Sequence, residues 1–204
     1  MVHSSNKPRG FTITELLVSI AIIGVISGAM LANFHGGQQS AEIRLASEIM
    51  VSQLRDIQTA SLGGRLVSAC SGGTQANQVC EPGKQPAIAC NGGGTCQRRS
   101  VPGYGIHLVA NQTTYTVFYD VNGNNTYDTG EDVVSKSFTP TGVVKLGAAN
   151  AVLPLDIVFN TPDATVKFNN AAAPDLLTLT LTHVTVGSIR HVNVFRIAGR
   201  IEHD

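Results

Sequence analysis

The pattern of apolar and polar positions changes twice along the 204-residue chain, and each change marks a different kind of element. Leu16 to Ala32 is an uncharged, mostly apolar run with no polar face. As a helix it is about 26 Å long, and Phe11 to Phe34 reaches about 36 Å, enough to cross a bilayer. From Ala41 to Leu62 the pattern becomes amphipathic. Ile43, Ala46, Met50, Leu54 and Ile57 recur at helical spacing, while Glu42, Arg44, Glu48, Arg55 and Asp56 take the other positions. One face of this half must therefore lie against a folded domain. Gly63-Gly64 supplies the stop. Gly36-Gly37 lies between the halves and weakens the helix by about 1 kcal/mol per glycine, so a bend or melted turn is expected there.

After Pro102 the period falls to two. Tyr104–Val109, Thr113–Tyr119, Val133–Phe138, Leu155–Phe159, Thr165–Phe168, Leu177–Val186 and Ile189–Ile197 read as strands, divided by Gly, Asn, Pro and Asp. Leu177 to Thr182 alternates strictly, and Gly187-Ser188 suits a tight hairpin turn. The expected architecture is α+β, with a long N-terminal helix packed along an antiparallel sheet. The part beyond Leu62, about 140 residues, suffices for one core. Five segments follow: 1–10 as a leader, 11–34 as membrane helix, 35–62 as its amphipathic continuation, 63–103 as a Cys/Gly-rich region and 104–204 as the sheet domain.

Charge sharpens the reading of the N-terminus. Between Phe11 and Ala41 only Glu15 carries a full charge at neutral pH. A carboxylate in hydrocarbon costs about 2.5–3.5 kcal/mol even on lenient scales, so it needs a partner. Lys7 and Arg9 precede the apolar run, which leaves the N-terminus in the cytoplasm and exports the chain after about residue 35. A secretory signal peptide fits less well. The run is longer than a usual signal core, Glu15 interrupts its start, and Ser27-Gly28-Ala29 lacks a clean break afterwards.

Lys7-Pro8-Arg9-Gly10-Phe11-Thr12-Ile13-Thr14-Glu15-Leu16-Leu17-Val18 resembles the prepilin cleavage and N-methylation site of type IV pilins and type II secretion pseudopilins. The resemblance implies cleavage by a prepilin peptidase between Gly10 and Phe11, methylation of the new N-terminal Phe11, and a pilin-like fold. Its implied function is that of a structural subunit, a minor pilin or pseudopilin, which enters a filament of pilin subunits through its N-terminal helix. It places the precursor in the bacterial inner membrane with its C-terminal domain outside, and the assembled subunit in an extracellular filament or a periplasmic pseudopilus. Cleavage removes Lys7 and Arg9 and creates an ammonium at Phe11, which a displaced neighbouring subunit can offer to Glu15. Breaking such a buried pair costs several kcal/mol, so Glu15 would set the assembly register. An ordinary single-span anchor with Glu15 at headgroup level is the plain alternative.

Cys70, Cys80, Cys90 and Cys96 follow a Cys-x9-Cys-x9-Cys-x5-Cys spacing, without the short paired knuckles of structural zinc sites. Export and an even count favour two disulfides stapling a surface loop. Three connectivities are open, of which Cys70 with Cys80 and Cys90 with Cys96 closes the shortest loops.

Two further constellations carry candidate chemistry. With Asp120 as position 1, oxygen-bearing side chains fall on Asp120, Asn122, Asn124, Asp128 and Glu131 at 1, 3, 5, 9 and 12, and Thr126 offers its carbonyl at 7. That is the spacing of a calcium loop, with Asn125 where glycine is expected. A polar hairpin loop is the alternative. Similar segments join two strands in the minor-pilin and pseudopilin relatives. At the C-terminus Arg190, Arg196 and Arg200 are candidate DNA contacts. Gly199-Arg200 resembles the start of the Gly-Arg-x-Arg signature of DNA-binding minor pilins, but Glu202 stands where the second arginine would be. A formal net charge of zero supplies no global field for phosphate. Enzyme readings find no Gly-x-Ser-x-Gly, His-Glu-x-x-His or Cys-x-x-Cys motif, and the six histidines are dispersed.

Overall fold

The computed structural model describes residues 11–74, 76–80, 90, 93–168, 174–196 and 199–204. Gly10 and the rest of the leader lie outside the described residues. The chain divides into two compact units, residues 1–40 and 41–204. One helix, α1 (Ile13–Leu62), contributes to both.

In the first unit α1 begins with a reciprocal cap. The Glu15 N–H donates to Thr12 Oγ1 at 3.3 Å, and the Thr12 N–H donates to Glu15 Oε2 at 3.0 Å. Two of the donors that a helix start leaves unpaired are thereby satisfied. Ile13–Met30 is long and apolar enough to span a membrane, and every residue from Phe11 to Met30 is exposed within this unit. The helical backbone is continuous through Gly36-Gly37, so the melted turn that its composition allowed does not form. Two glycines lower helix stability by about 2 kcal/mol together, which continuous turns on both sides can offset.

In the second unit Ile43, Ala46, Met50, Leu54 and Ile57 are all buried, as their spacing requires. The helix stops at Gly63-Gly64 in a Schellman arrangement. Gly64 takes φ 56°, its N–H reaches Ser61 O at 3.2 Å, and the Arg65 N–H reaches Ala60 O at 3.2 Å. Among the described residues eleven strands follow: β1 (Val67–Ser71), β2 (Thr95–Arg99), β3 (Gly103–Leu108), β4 (Thr114–Asp120), β5 (Asp132–Ser137), β6 (Val144–Ala149), β7 (Leu155–Asn160), β8 (Val166–Phe168), β9 (Leu176–His183), β10 (Ile189–Phe195) and β11 (Ile201–His203).

They form three antiparallel sheets where one was expected: β5-β4-β3-β7-β8, β11-β10-β9-β6, and the pair β1-β2. Leu177, Leu179 and Leu181 of β9 face the core and its threonines alternate outward. In β7, Leu155 to Phe159 are buried without alternation, the pattern of a strand covered on both faces. The two larger sheets are joined where the Asn111 N–H donates to Leu146 O at 2.8 Å and the Leu146 N–H to Gln112 O at 3.0 Å. Side chains of α1 and of both larger sheets share one apolar core. Polar ties fix the helix to the strands: Arg55 donates to Ile201 O at 3.0 Å, Gln58 to Gly199 O at 3.0 Å, and Lys136 to Gln53. Buried His183 accepts the Thr185 N–H on Nδ1 at 3.3 Å, which leaves its Nε2–H to donate to Glu42 at 3.1 Å.

Candidate functional site: the N-terminal motif, the cysteines and the loop of residues 120–132

Phe11 is 88% exposed, with no core of its own to enter. Glu15 also accepts the Thr12 hydroxyl at 3.0 Å, so within a single chain its carboxylate is occupied by the helix start. The Thr12-x-x-Glu15 spacing that produces this cap is readable from the sequence, and it gives Glu15 a partner within its own chain besides the intermolecular one expected from the prepilin resemblance.

The cysteines pair as Cys70–Cys90 and Cys80–Cys96, with Cα–Cα distances of 5.4 and 6.0 Å. This connectivity is interlaced, not the short-loop one. Cys70 and Cys96 sit opposite each other on β1 and β2, so the region 63–103 contains a small sheet that its polar composition concealed. The sulfurs of Cys70, Cys80 and Cys90 lie within 4.8 Å of one another. Bonded as disulfides, they carry no thiolate for a metal.

Residues 120–132 connect β4 to β5, and the loop is built around its own carboxylates. Asp120 Oδ1 accepts the N–H groups of Gly123 at 2.7 Å and Asn124 at 3.2 Å, and Oδ2 accepts that of Asn125 at 3.0 Å. Glu131 returns from the far end: Oε1 accepts the Val121 N–H at 2.9 Å and Oε2 the Asp128 N–H at 3.2 Å. Asp128 Oδ2 gathers the side-chain amides of Asn122 at 2.7 Å and Asn124 at 2.8 Å. Thr126 is positioned by its N–H, which donates to Asn124 Oδ1 at 2.9 Å. Asn125 takes φ 61°, the left-handed conformation needed where the loop turns sharply.

Asp120 is 0% and Glu131 2% exposed, an expensive position for two carboxylates. Burial is the main cause that raises the Asp120 pKa, against the three N–H groups that lower it. Burial pushes Glu131 up to about 7, and the nearby charges of Asp120 and Asp128 act in the same direction. The donor set is all oxygen, which suits a hard cation, and the buried Asn125 Oδ1 has no hydrogen-bond partner. Each of the three carboxylates already accepts hydrogen bonds from the loop itself.

Two residues outside the motif hold the loop to the sheet. Asp156 on β7 accepts the Tyr127 N–H at 3.1 Å and lies 2.6 Å from His107 Nδ1, while the His107 ring packs on Tyr127 with centroids 4.6 Å apart. Nothing local in the sequence marks this pairing, because it joins strands 49 residues apart.

Of the three C-terminal arginines, Arg196 is ion-paired with Asp175 at 2.7 Å and Arg200 with Glu202 at 2.9 Å. Arg200 also stacks over Phe195 at 4.6 Å. Arg190 lies on β10 opposite Leu181. The three do not form a shared cluster of salt bridges.

Residues 5–31 match the family model of the prokaryotic N-terminal methylation motif. The match supports a type IV pilin-like or pseudopilin precursor, whose processing involves a prepilin peptidase and whose assembly involves pilin subunits. The apolar helix that begins in the same segment fits membrane anchoring. No curated protein and no solved structure gives a significant match to the chain.

Proposed function

We propose that this chain is a structural subunit, a minor pilin or pseudopilin, of a type IV pilus-like filament. A prepilin peptidase cuts between Gly10 and Phe11, Phe11 is methylated, and the apolar half of α1 moves from the inner membrane into the filament core. The observation that carries this reading is the methylation motif at residues 5–31, whose described part, residues 11–30, is an exposed apolar helix start. Eighteen residues, Ile13–Met30, are left unburied by the described residues. Lipid first and neighbouring helices afterwards would cover them. The second unit, with its own core and two disulfides, stands outside the membrane in this scheme.

Mass spectrometry of mature protein from the native host tests the scheme. The chain should begin at Phe11 and carry one added methyl group. A mature chain that begins at Met1, or one cut near Ala29, overturns it.

Calcium at the loop of residues 120–132 is a second element of the proposal, favoured by the two buried carboxylates. Asp120, Asn122, Asn124, Asp128 and Glu131 would hold the ion through side-chain oxygens and Thr126 through its carbonyl. The ion supplies the countercharge that the burial of Asp120 and Glu131 calls for. DNA binding through Arg190, Arg196 and Arg200 receives less support, because two of these guanidinium groups already face carboxylates.

A further inference from the structure

The two disulfides stand closer together than independent staples require, with Cys80 of one beside both cysteines of the other. β1 pairs with β2 on one side and with residues 77–80 on the other. The Cys70 N–H donates to Gln78 O at 2.9 Å, and the Cys80 N–H to Ser68 O at 3.0 Å. The sulfurs of Cys70, Cys80 and Cys90 consequently share a volume in which none is more than 4.8 Å from another. Across β1 and β2, Cys70 faces Cys96 directly. Such facing residues lie about 4.5–5.5 Å apart at Cα, within the span of about 4.4–6.8 Å that a disulfide bridges. Access is unequal: Cys70 and Cys80 are buried, while Cys96 is exposed.

We propose that the four cysteines form a thiol-triggered exchange unit, in which attack at exposed Cys96 converts the interlaced pairing into the nested pairing Cys70–Cys96 with Cys80–Cys90. An external thiolate bonds to Cys96 Sγ and breaks the Cys80–Cys96 bond, whose electron pair leaves on Cys80. The Cys80 thiolate, within 4.8 Å of Cys90, bonds to Cys90 Sγ and displaces Cys70 as a thiolate. Cys70 then attacks Cys96 across the strand pair and expels the external thiolate. Two disulfides exist before and two after, no oxidant is consumed, and the thiol acts as a catalyst.

The exchange changes where the connection between Cys80 and Cys90 is anchored. In the interlaced state Cys90 is bonded to β1 and Cys80 to β2. In the nested state those two ends are bonded to each other, and β1 and β2 hold a bridge of their own. On the proposed function the four cysteines face a thiol-accessible exterior, and the exchange replaces two bonds to the ends of residues 81–89 by a direct bridge between β1 and β2.

The test uses the full chain in detergent. Cys96→Ser reproduces the state after the first cleavage, with one bridge and one thiol. Free thiols are alkylated with one reagent, the remainder reduced and alkylated with an isotopic second, and the positions assigned by tandem mass spectrometry. The first label is expected on Cys70 as well as on Cys80, and a label confined to Cys80 overturns the proposal. Should that variant fail to fold, the wild-type chain decides. With about one-tenth equivalent of reduced glutathione at pH 8, non-reduced peptides cleaved both between Cys70 and Cys80 and between Cys90 and Cys96 should gain Cys70–Cys96 links over minutes to hours while the number of free thiols stays constant. An unchanged interlaced pairing overturns it.

Discussion

Glu15 offers one carboxylate to two partners. In the single chain it closes the cap on Thr12, and in the proposed filament it meets the Phe11 ammonium of a neighbour. The two uses separate by substitution. Glutamine keeps the capping geometry, since either Glu or Gln serves at this position, but removes the charge. Valine removes both and makes the segment more apolar, so membrane insertion should survive either change. If the charge sets the register, Glu15→Gln should enter the sheared filament fraction as poorly as Glu15→Val. Assembly at the wild-type level by the glutamine variant would leave Glu15 with the cap alone. The cap was legible in four consecutive residues, as were the spaced oxygens of the loop at 120–132. Asp156 was not, because its contacts with Tyr127 and His107 depend on β3 and β7 lying side by side.

At the scale of elements, what repeats within a few residues was readable and what depends on distant pairing was not. The second half of α1 shows its buried face at helical spacing, and β9 shows its own at a spacing of two. The strands β1, β2, β6 and β11 escaped notice for identifiable reasons. β1 is built mainly of small residues and β2 is polar and exposed, so their pairing follows the cysteine framework more than hydrophobic pattern. β6 changes register between Leu146 and Ala148, which breaks its alternation. β11 has only three residues, and its helix-side anchor, Arg55 to Ile201 O, is non-local. The hairpin between β9 and β10 is wider than Gly187-Ser188 suggested, because the His183 N–H closes it on Ser188 O at 2.9 Å. The helix pattern has an energetic consequence. Leu54 is fully buried and Leu45 is exposed on the same element, so Leu54→Ala should lower unfolding stability by about 2–5 kcal/mol. Leu45→Ala should stay within about 0.5 kcal/mol. Denaturant unfolding of the full chain in detergent measures both, and equal losses would contradict the assigned packing face.

For the whole molecule the loop at 120–132 ties stability to pH and to cations in a way that can be worked out by sign. Glu131 has a folded-state pKa of about 7 against an ordinary 4.5. The folded chain therefore keeps its proton where the unfolded chain has lost it. This contribution to stability is greatest below pH 4.5, falls as pH rises toward 7, and stays at its lowest above that, a change on the order of 3 kcal/mol. Asp120, also raised by burial, adds a loss of the same sign. Glu131→Gln mimics the protonated form, so in chelator the variant should match wild type at pH 5 and exceed it at pH 8. Calcium acts in the opposite direction, since it favours the ionised carboxylates and binds only the folded loop. At ten times its Kd it should add about 1.4 kcal/mol, seen as a higher melting temperature at pH 8, with a smaller gain at pH 5 where protons compete. Glu131→Gln should lose that gain, and magnesium should replace calcium poorly because it demands a smaller octahedral shell. Thermal melts of wild type and Glu131→Gln at both pH values, in chelator and in millimolar calcium, separate the two effects. A wild-type midpoint unmoved by calcium would reduce the loop to a self-capped turn with a costly buried glutamate, and the filament reading, which rests on residues 5–31, would be unaffected.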